Sequence, residues 1–296
     1  MNPAGRMGSM KVGMIGVGEM GFHMAAHLVD KKHDVVAYDI DAERLAAADK
    51  RGAKAVNGVA EMARHAEVFI AIVRTDEQVE AVTRELVTKA KAGSLIIAAG
   101  THSLEVMKDL AALAKSHHIR FIDAPVVYGT RGAKEGTLLS LCGGEAADVE
   151  FGKPAMLAYS RDVEHVGPIG AGQLAKTCNN LLHWIHCVAN YETLALAKQY
   201  GIDAQRMREV LLKCPGENGT LRRWDTTRFT WQEKDMDFVM ELAQNADLML
   251  PLAGQVDQLV KKLTAADVKA LLYGPEAQYL GQKVAPLPPD KGGLRL

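Results

Sequence analysis

The chain has 296 residues, enough for two domains with separate cores. Its 35 basic and 36 acidic residues nearly cancel, so charge gives no reason to expect nucleic acid or an anionic membrane as a partner. The apolar runs fall short of a membrane span, and no charged, apolar leader precedes the first strand. The four cysteines (Cys142, Cys178, Cys187, Cys214) form no CxxC pair. The expectation is therefore a cytoplasmic protein with reduced thiols, and no metal site is expected because His183 and His186, at i and i+3, have no third ligand at metal spacing. Residues Met1–Ser9 stand ahead of a second possible start, Met10, and read as an extension outside the fold.

In chain order, the apolar run Val12–Ile15 predicts a buried strand. It leads into Gly16-Val17-Gly18-Glu19-Met20-Gly21 and then a helix over Phe22–Val29. Glycines at 16, 18 and 21 suit a tight turn, close backbone approach to a pyrophosphate, and helix–strand packing. The helix that follows offers free N–H groups and the positive end of its dipole to phosphate. A second strand, Asp34–Tyr38, ends at Asp39, 18 residues after Gly21. A carboxylate there can accept from both hydroxyls of an adenine ribose and would repel a 2′-phosphate, which argues for NAD over NADP.

Strand-like Val68–Val73, Ser94–Ala98 and Arg120–Ile122 then alternate with helix-like Ala42–Arg51, Glu77–Lys91 and Ser103–His118. Leu138–Cys142 and Asp162–Val166 add later strands. This alternation predicts an α/β fold, a Rossmann-type doubly wound parallel sheet. Gly167–Gly172 breaks the pattern, and beyond it only helices are expected: Gln173–Tyr200, Ala204–Lys213, Lys234–Gln244, Leu252–Thr264 and Ala266–Leu272. The long Gln173–Tyr200 reads as a helix joining two domains, 10–169 and an all-α 170–296, with the active site in the cleft between them. The tail Gly274–Leu296, rich in Pro, Gly and Lys, is expected to be loosely held.

Two segments are candidates for chemistry. Lys176, Asn179, Asn180, His183 and Cys187 recur at i, i+3, i+4, i+7 and i+11, one stripe of the long helix. Such a stripe makes a poor core face and a better wall of a polar cleft. A lysine here suits either a proton donor and acceptor on an alcohol or a solvated residue near a helix start. The second segment, Asp123-Ala124-Pro125-Val126-Val127-Tyr128-Gly129, follows a strand end, where ligands sit in doubly wound sheets. Its backbone N–H groups could cradle a carboxylate, and a plain turn would use the same residues. Thr101 holds the corresponding edge after Ser94–Ala98. Cys178, Cys187, Trp224, Trp231, Met236, Met240 and Met249 read as packing or subunit-interface residues.

Four ordered motifs resemble those of the β-hydroxyacid dehydrogenases, the group of 3-hydroxyisobutyrate dehydrogenase and tartronate semialdehyde reductase, related to 6-phosphogluconate dehydrogenase. Gly16–Gly21 (GVGEMG) is similar to the family's GxGxMG turn. Asp123–Gly144 (DAPVVYGTRGAKEGTLLSLCGG) is similar to its DAPVSGG substrate motif, Gly170–Asn180 (GAGQLAKTCNN) to GxGxxxKxxNN, and Lys234-Asp235 to its KD motif. The resemblance implies reversible hydride transfer between NAD and the carbinol carbon of a small β-hydroxy acid or its semialdehyde. Lys176 would then be the general acid and base, and Asn180 would orient a substrate bound at Val127, Tyr128 and Gly129. Thr101 would lie beside both the nicotinamide and the carboxylate. Gly16, Val17, Gly18, Glu19, Met20, Asp39 and Val73 would hold the cofactor, and Lys234 would close over it. A homodimer or homotetramer built on the long helix is also implied.

Three departures stand out. Val127-Tyr128 replaces the family's usual Ser-Gly, Arg74 stands where relatives carry an apolar residue or proline, and Gly219–Glu233 is shorter than usual. Arg131 and Arg74 are the candidate cations for a substrate carboxylate. The rival readings are a catalytically silent NAD-binding homologue serving as an interaction module, and an imine reductase on the same scaffold.

Overall fold

The computed structural model describes residues 9–294. They divide into two compact units, with the boundary between Lys176 and Thr177, inside the long helix rather than at residue 169.

In the first unit the strands and helices alternate. They are β1 (Lys11–Ile15), α1 (Gly21–Asp30), β2 (Asp34–Tyr38), α2 (Ala42–Lys50), β3 (Lys54–Ala55), α3 (Val59–His65), β4 (Val68–Ala71) and α4 (Asp76–Lys89). There follow β5 (Leu95–Ala98), α5 (Leu104–Ser116), β6 (Arg120–Asp123), β7 (Val126–Val127), α6 (Gly129–Glu135), β8 (Leu138–Gly143), α7 (Ala146–Met156) and β9 (Ser160–Gly167). The sheet order β3-β2-β1-β4-β5-β6 is parallel throughout, with its reversal between β1 and β4. Side chains along each central strand divide between two cores. Val12, Met14, Val68, Ile70, Leu95 and Ile97 face one, and Ile15, Phe69, Ala71, Ile96 and Ala98 the other. A strand buried on both faces needs helices on both, which is why these runs are apolar without alternation.

The doubly wound parallel sheet is as expected, and its far edge adds an antiparallel pairing. β8 runs antiparallel to both β6 and β7, pairing Asp123 with Gly143, Val126 with Ser140 and Val127 with Leu139. These pairs share one register, so β6 and β7 are a single strand interrupted at Ala124-Pro125. Pro125 has no N–H to donate, though its carbonyl still accepts from Leu141 N at 3.1 Å. This interruption carries Val126–Tyr128 past the end of β6. Helices α3, α6 and α7 were not foreseen; α6, GTRGAKE, has two glycines and no apolar periodicity to announce it.

The helix α8 (Ala171–Gln199) begins in the first unit and continues into the second. The second unit adds α9 (Ala204–Leu211), α10 (Gly219–Arg222), α11 (Gln232–Asn245), α12 (Pro251–Val260) and α13 (Ala265–Tyr273) around Trp184, Tyr191, Trp224 and Leu271. Two expectations fail here. The unit is not purely helical, since β10 (Ala277–Tyr279) and β11 (Gln282–Val284) form a hairpin. Nor is the tail loose: Ala277 and Val284 are buried, Tyr191 Oη donates to Gln278 O, and the Leu287 and Leu294 amides donate to Gln199 O and Tyr200 O. Lys198 ties in the end of α13, its buried ammonium donating to Leu271 O and Gly274 O. Among the described residues no helix is long and apolar enough to cross a membrane.

Candidate active site

The glycine-rich turn sits at the sheet's reversal point. Gly16 has φ +85°, and a Cβ there would lie 2.5 Å from Ile72 O, so only glycine fits between β1 and the end of β4. A Cβ on Gly21 would collide with Gly16 O, which fixes the close approach of α1 to the turn. At Gly18 the same test meets only the Arg44 guanidinium, at 3.4 Å, which leaves the crest of the turn open to a pyrophosphate. Met20 packs on the core beneath, and Glu19 accepts from Thr130 Oγ1 at 3.0 Å.

Asp39 anchors the turn from the neighbouring strand. Its Oδ2 accepts from the buried Val17 amide at 2.7 Å and its Oδ1 from Asp41 N at 2.9 Å. A carboxylate has about four lone-pair sites. Two remain for ribose hydroxyls. Beside it opens a cavity of about 300 Å³, lined by Tyr38, Ile40, Leu45, Val56 and Asn57, suited to an adenosine. These residues fit a dinucleotide. Arg44, ion-paired to Asp41 at 3.1 Å, is a cation near the turn that sequence reading passed over, because its place depends on how α2 folds back.

A second set of contacts joins the ends of β5 and β6 to the start of α8. Asp123, fully buried, accepts from Gly170 N at 2.7 Å and Gln173 N at 2.8 Å. Burial pushes its carboxyl above the ordinary carboxylate range, against the pull of those backbone bonds. Gln173, also fully buried, donates from its amide to Gly100 O at 2.9 Å and accepts from His102 N at 3.1 Å. It therefore clamps the turn that carries Thr101. His102 is held in turn by Asp76, Nδ1 to Oδ1 at 2.9 Å. Burial acts to raise the Asp76 carboxyl, but hydrogen bonds from His102 and Ser103 outweigh it and hold Asp76 below its usual value.

One turn after Gln173, half-buried Lys176 donates from Nζ to Val126 O at 2.9 Å. That bond draws the lysine to the extension of β6, beside Val127 and Tyr128. Val127 is buried in the β7–β8 ladder, so no side-chain hydroxyl stands where the family's serine would. Tyr128 and Gly129 are both left-handed, with φ 83° and 57°. Among the proposed cations, Arg131 is exposed and paired to Glu135 at 2.8 Å, while Arg74 lies exposed on the loop that Gln78 Oε1 closes by accepting from Arg74 N. Val73 directly follows Ile72 at that loop's start, its carbonyl 2.7 Å from a Cβ built on Gly100.

Gly16, Val17, Gly18, Glu19, Met20, Asp39, Val73, Thr101, Val127, Tyr128, Gly129, Arg131 and Lys176 thus belong to the first unit, and Asn180 and Lys234 to the second. There Asn180 is buried and accepts from Asn179 Nδ2 at 3.1 Å, and Lys234, in the first turn of α11, lies 5.6 Å over the Phe238 ring. His183 faces Thr220 Oγ1 at 2.9 Å, and the Trp184 indole donates to Asp235 at 3.0 Å. Burial pushes the Cys142 thiol up to about 12 and raises Cys187 further, so neither is a nucleophile. Among the described residues no cluster of His, Cys, Asp or Glu could hold a metal.

Residues 11–167 match the family profile described as the NAD binding domain of 6-phosphogluconate dehydrogenase. Residues 170–271 match the one described as NAD-binding of NADP-dependent 3-hydroxyisobutyrate dehydrogenase. A probable mitochondrial 3-hydroxyisobutyrate dehydrogenase of Dictyostelium discoideum is 29% identical, over 87% of this chain and 86% of that protein. An NAD-dependent L-serine dehydrogenase of Pseudomonas aeruginosa is 29% identical over 71% and 72%. The solved 3-hydroxyisobutyrate dehydrogenase of Mycobacterium tuberculosis, with L-serine, superposes with a TM-score of 0.81 at 25% identity, covering 90% of this chain and 99% of that one. With both parts of the chain matched by family profiles, the chain belongs to the β-hydroxyacid dehydrogenases, enzymes that use NAD.

Proposed function

We propose that the protein moves a hydride between NAD and the carbinol carbon of a small β-hydroxy carboxylate, with Lys176 as general acid and base. The observation that carries this reading is the hydrogen bond from Lys176 Nζ to Val126 O, which holds the amine at the edge where β6 runs out. The substrates named for the relatives share a carboxylate and a hydroxyl on the β carbon, and this chain is taken to act on the same class.

When bound, the nicotinamide accepts a hydride in oxidation and returns it in reduction. The chain's own residues manage the proton and the geometry. Lys176, in its neutral form, takes the hydroxyl proton at Nζ as the carbinol C–H bond breaks. In reduction the ammonium gives that proton back to the carbonyl oxygen. Val126 O holds Nζ in place through both halves. Backbone N–H groups around Val127–Gly129 take the substrate carboxylate, Thr101 lies beside it, Asn180 orients the reacting oxygen, and Lys234 closes over the cofactor. Val127 in place of serine leaves carboxylate recognition to backbone and cation, which supports a substrate other than 3-hydroxyisobutyrate itself. The retained Lys176, Asn180 and Lys234 weigh against both a silent binding module and an imine reductase. We further assign the chain to the cytoplasm, its four thiols being unpaired, and expect a homodimer or homotetramer.

The test is reduced-nicotinamide formation from NAD with C3 to C6 hydroxy acids, comparing the native chain with Lys176→Met. Turnover of a hydroxy acid, reduced about 10²- to 10⁴-fold in the variant while NADH still binds, is the expected result. Equal turnover in both would remove Lys176 from the mechanism.

A further inference from the structure

The structure assigns to Arg161, seated on Tyr128, the role of a specificity cation for a second anionic group on the substrate. This rests on the hydroxy-acid reading above and narrows its substrate class to dicarboxylates.

Three observations converge on the pair. Tyr128 holds φ 83°, a conformation that glycine adopts freely and an aromatic residue rarely does. A large side chain kept at a strained position beside a ligand loop points to use of that side chain. Arg161 lies at a second irregularity. Ser160 pairs with Leu138 and Asp162 with Leu139, so the β8–β9 register slips and leaves Arg161 without an opposite residue. Bulges of this kind re-aim a side chain. Both irregularities aim at one contact: the Arg161 guanidinium stacks 4.4 Å from the Tyr128 ring centroid, and its Nη2 donates to Tyr128 Oη at 2.5 Å.

The charge inventory selects Arg161 over the other cations nearby. Arg131 is paired with Glu135, whereas Arg161 makes no ion pair among the described residues. The neighbouring Asp162 accepts from Val163 N instead. Lys176 binds the Val126 carbonyl and Arg161 the Tyr128 hydroxyl, so two cations are held by residues two apart in the same segment. That pairing suits a substrate whose hydroxyl lies at Lys176 and whose far end carries a carboxylate. A guanidinium stacked on an aromatic ring keeps its outward N–H fork for bidentate binding of that group.

The experiment pairs hydroxy acids of equal chain length, with and without a second terminal carboxylate, and measures kcat/KM for the native chain, R161Q, R161K and Y128G. The native chain should prefer the dicarboxylate. R161Q and Y128G should lower that preference on the order of ten- to a hundredfold, as expected for losing a charge-assisted contact, and R161K should restore only part of it. An unchanged preference in R161Q would overturn the assignment. Glutarate and butyrate binding to the NADH-loaded chain gives a readout independent of turnover. Tighter glutarate binding that R161Q abolishes supports Arg161 even if no hydroxy acid is oxidised. Equal binding of the two acids by the native chain rejects Arg161, whatever becomes of the dehydrogenase reading.

Discussion

At the scale of single residues, the site is a set of short contacts with long sequence separations. Asp39 accepts from Val17 N and Asp41 N, holding the glycine turn to β2, and we assign its other lone pairs to a ribose. Asp39→Ser should therefore weaken NAD binding by on the order of tenfold and narrow the discrimination against NADP, with Arg44 close by to receive a phosphate. Parallel titrations with both cofactors check this; an unchanged preference would mean that Asp39 serves only the turn. The glycine positions and Asp39 were legible in the sequence because backbone conformation and steric contact dictate them locally. Arg161 was not, because a bulge between β8 and β9 decides where it points, and no local pattern encodes a register slip.

The element that matters most is the start of α8. Asp123 and Gln173 close it from inside, with partners 47 to 73 residues away in sequence. A spacing argument finds Lys176 on this helix. It does not find the clamp beneath it, since buried pairing across such distances leaves no periodic trace. The Gln173 amide donates to Gly100 O and accepts from His102 N, so a carboxylate in its place would press against a carbonyl unless protonated. Gln173→Glu should accordingly retain turnover at acidic pH and lose it as pH rises and the buried acid ionises. A pH profile of kcat checks this, and a profile parallel to that of the native chain would contradict it. The C-terminal hairpin shows the reverse limit. Its two-residue turn, Leu280-Gly281, has φ 51° and 80°, but the leucine hides the turn from a reading that looks for Asn-Gly or Asp-Gly.

Over the whole molecule, the sequence foretold the alternating first unit and the mainly helical second, because hydrophobic periodicity carries that information. It placed later strands at the sheet's far edge without their direction, since the reversal before β8 is made by the short, glycine-containing α6 segment, which has no apolar periodicity. Global stability should also carry the mark of the Asp76–His102 pair. Asp76 titrates below its ordinary 3.8 in the fold, so its contribution is present above that value and lost as pH falls through the lower folded value. Asp76→Asn should thus lower the Tm at neutral pH, with the gap closing on acidification below about 4. A gap that stays constant with pH would contradict the linkage. The measurement that bears most directly on the whole account is isotopic. With a β-hydroxy acid deuterated at its carbinol carbon, the native chain should deliver deuterium to the nicotinamide, and kcat/KM should fall when this transfer limits the rate. Reduced nicotinamide formed without the label would contradict direct hydride transfer, and with it the proposed role of Lys176.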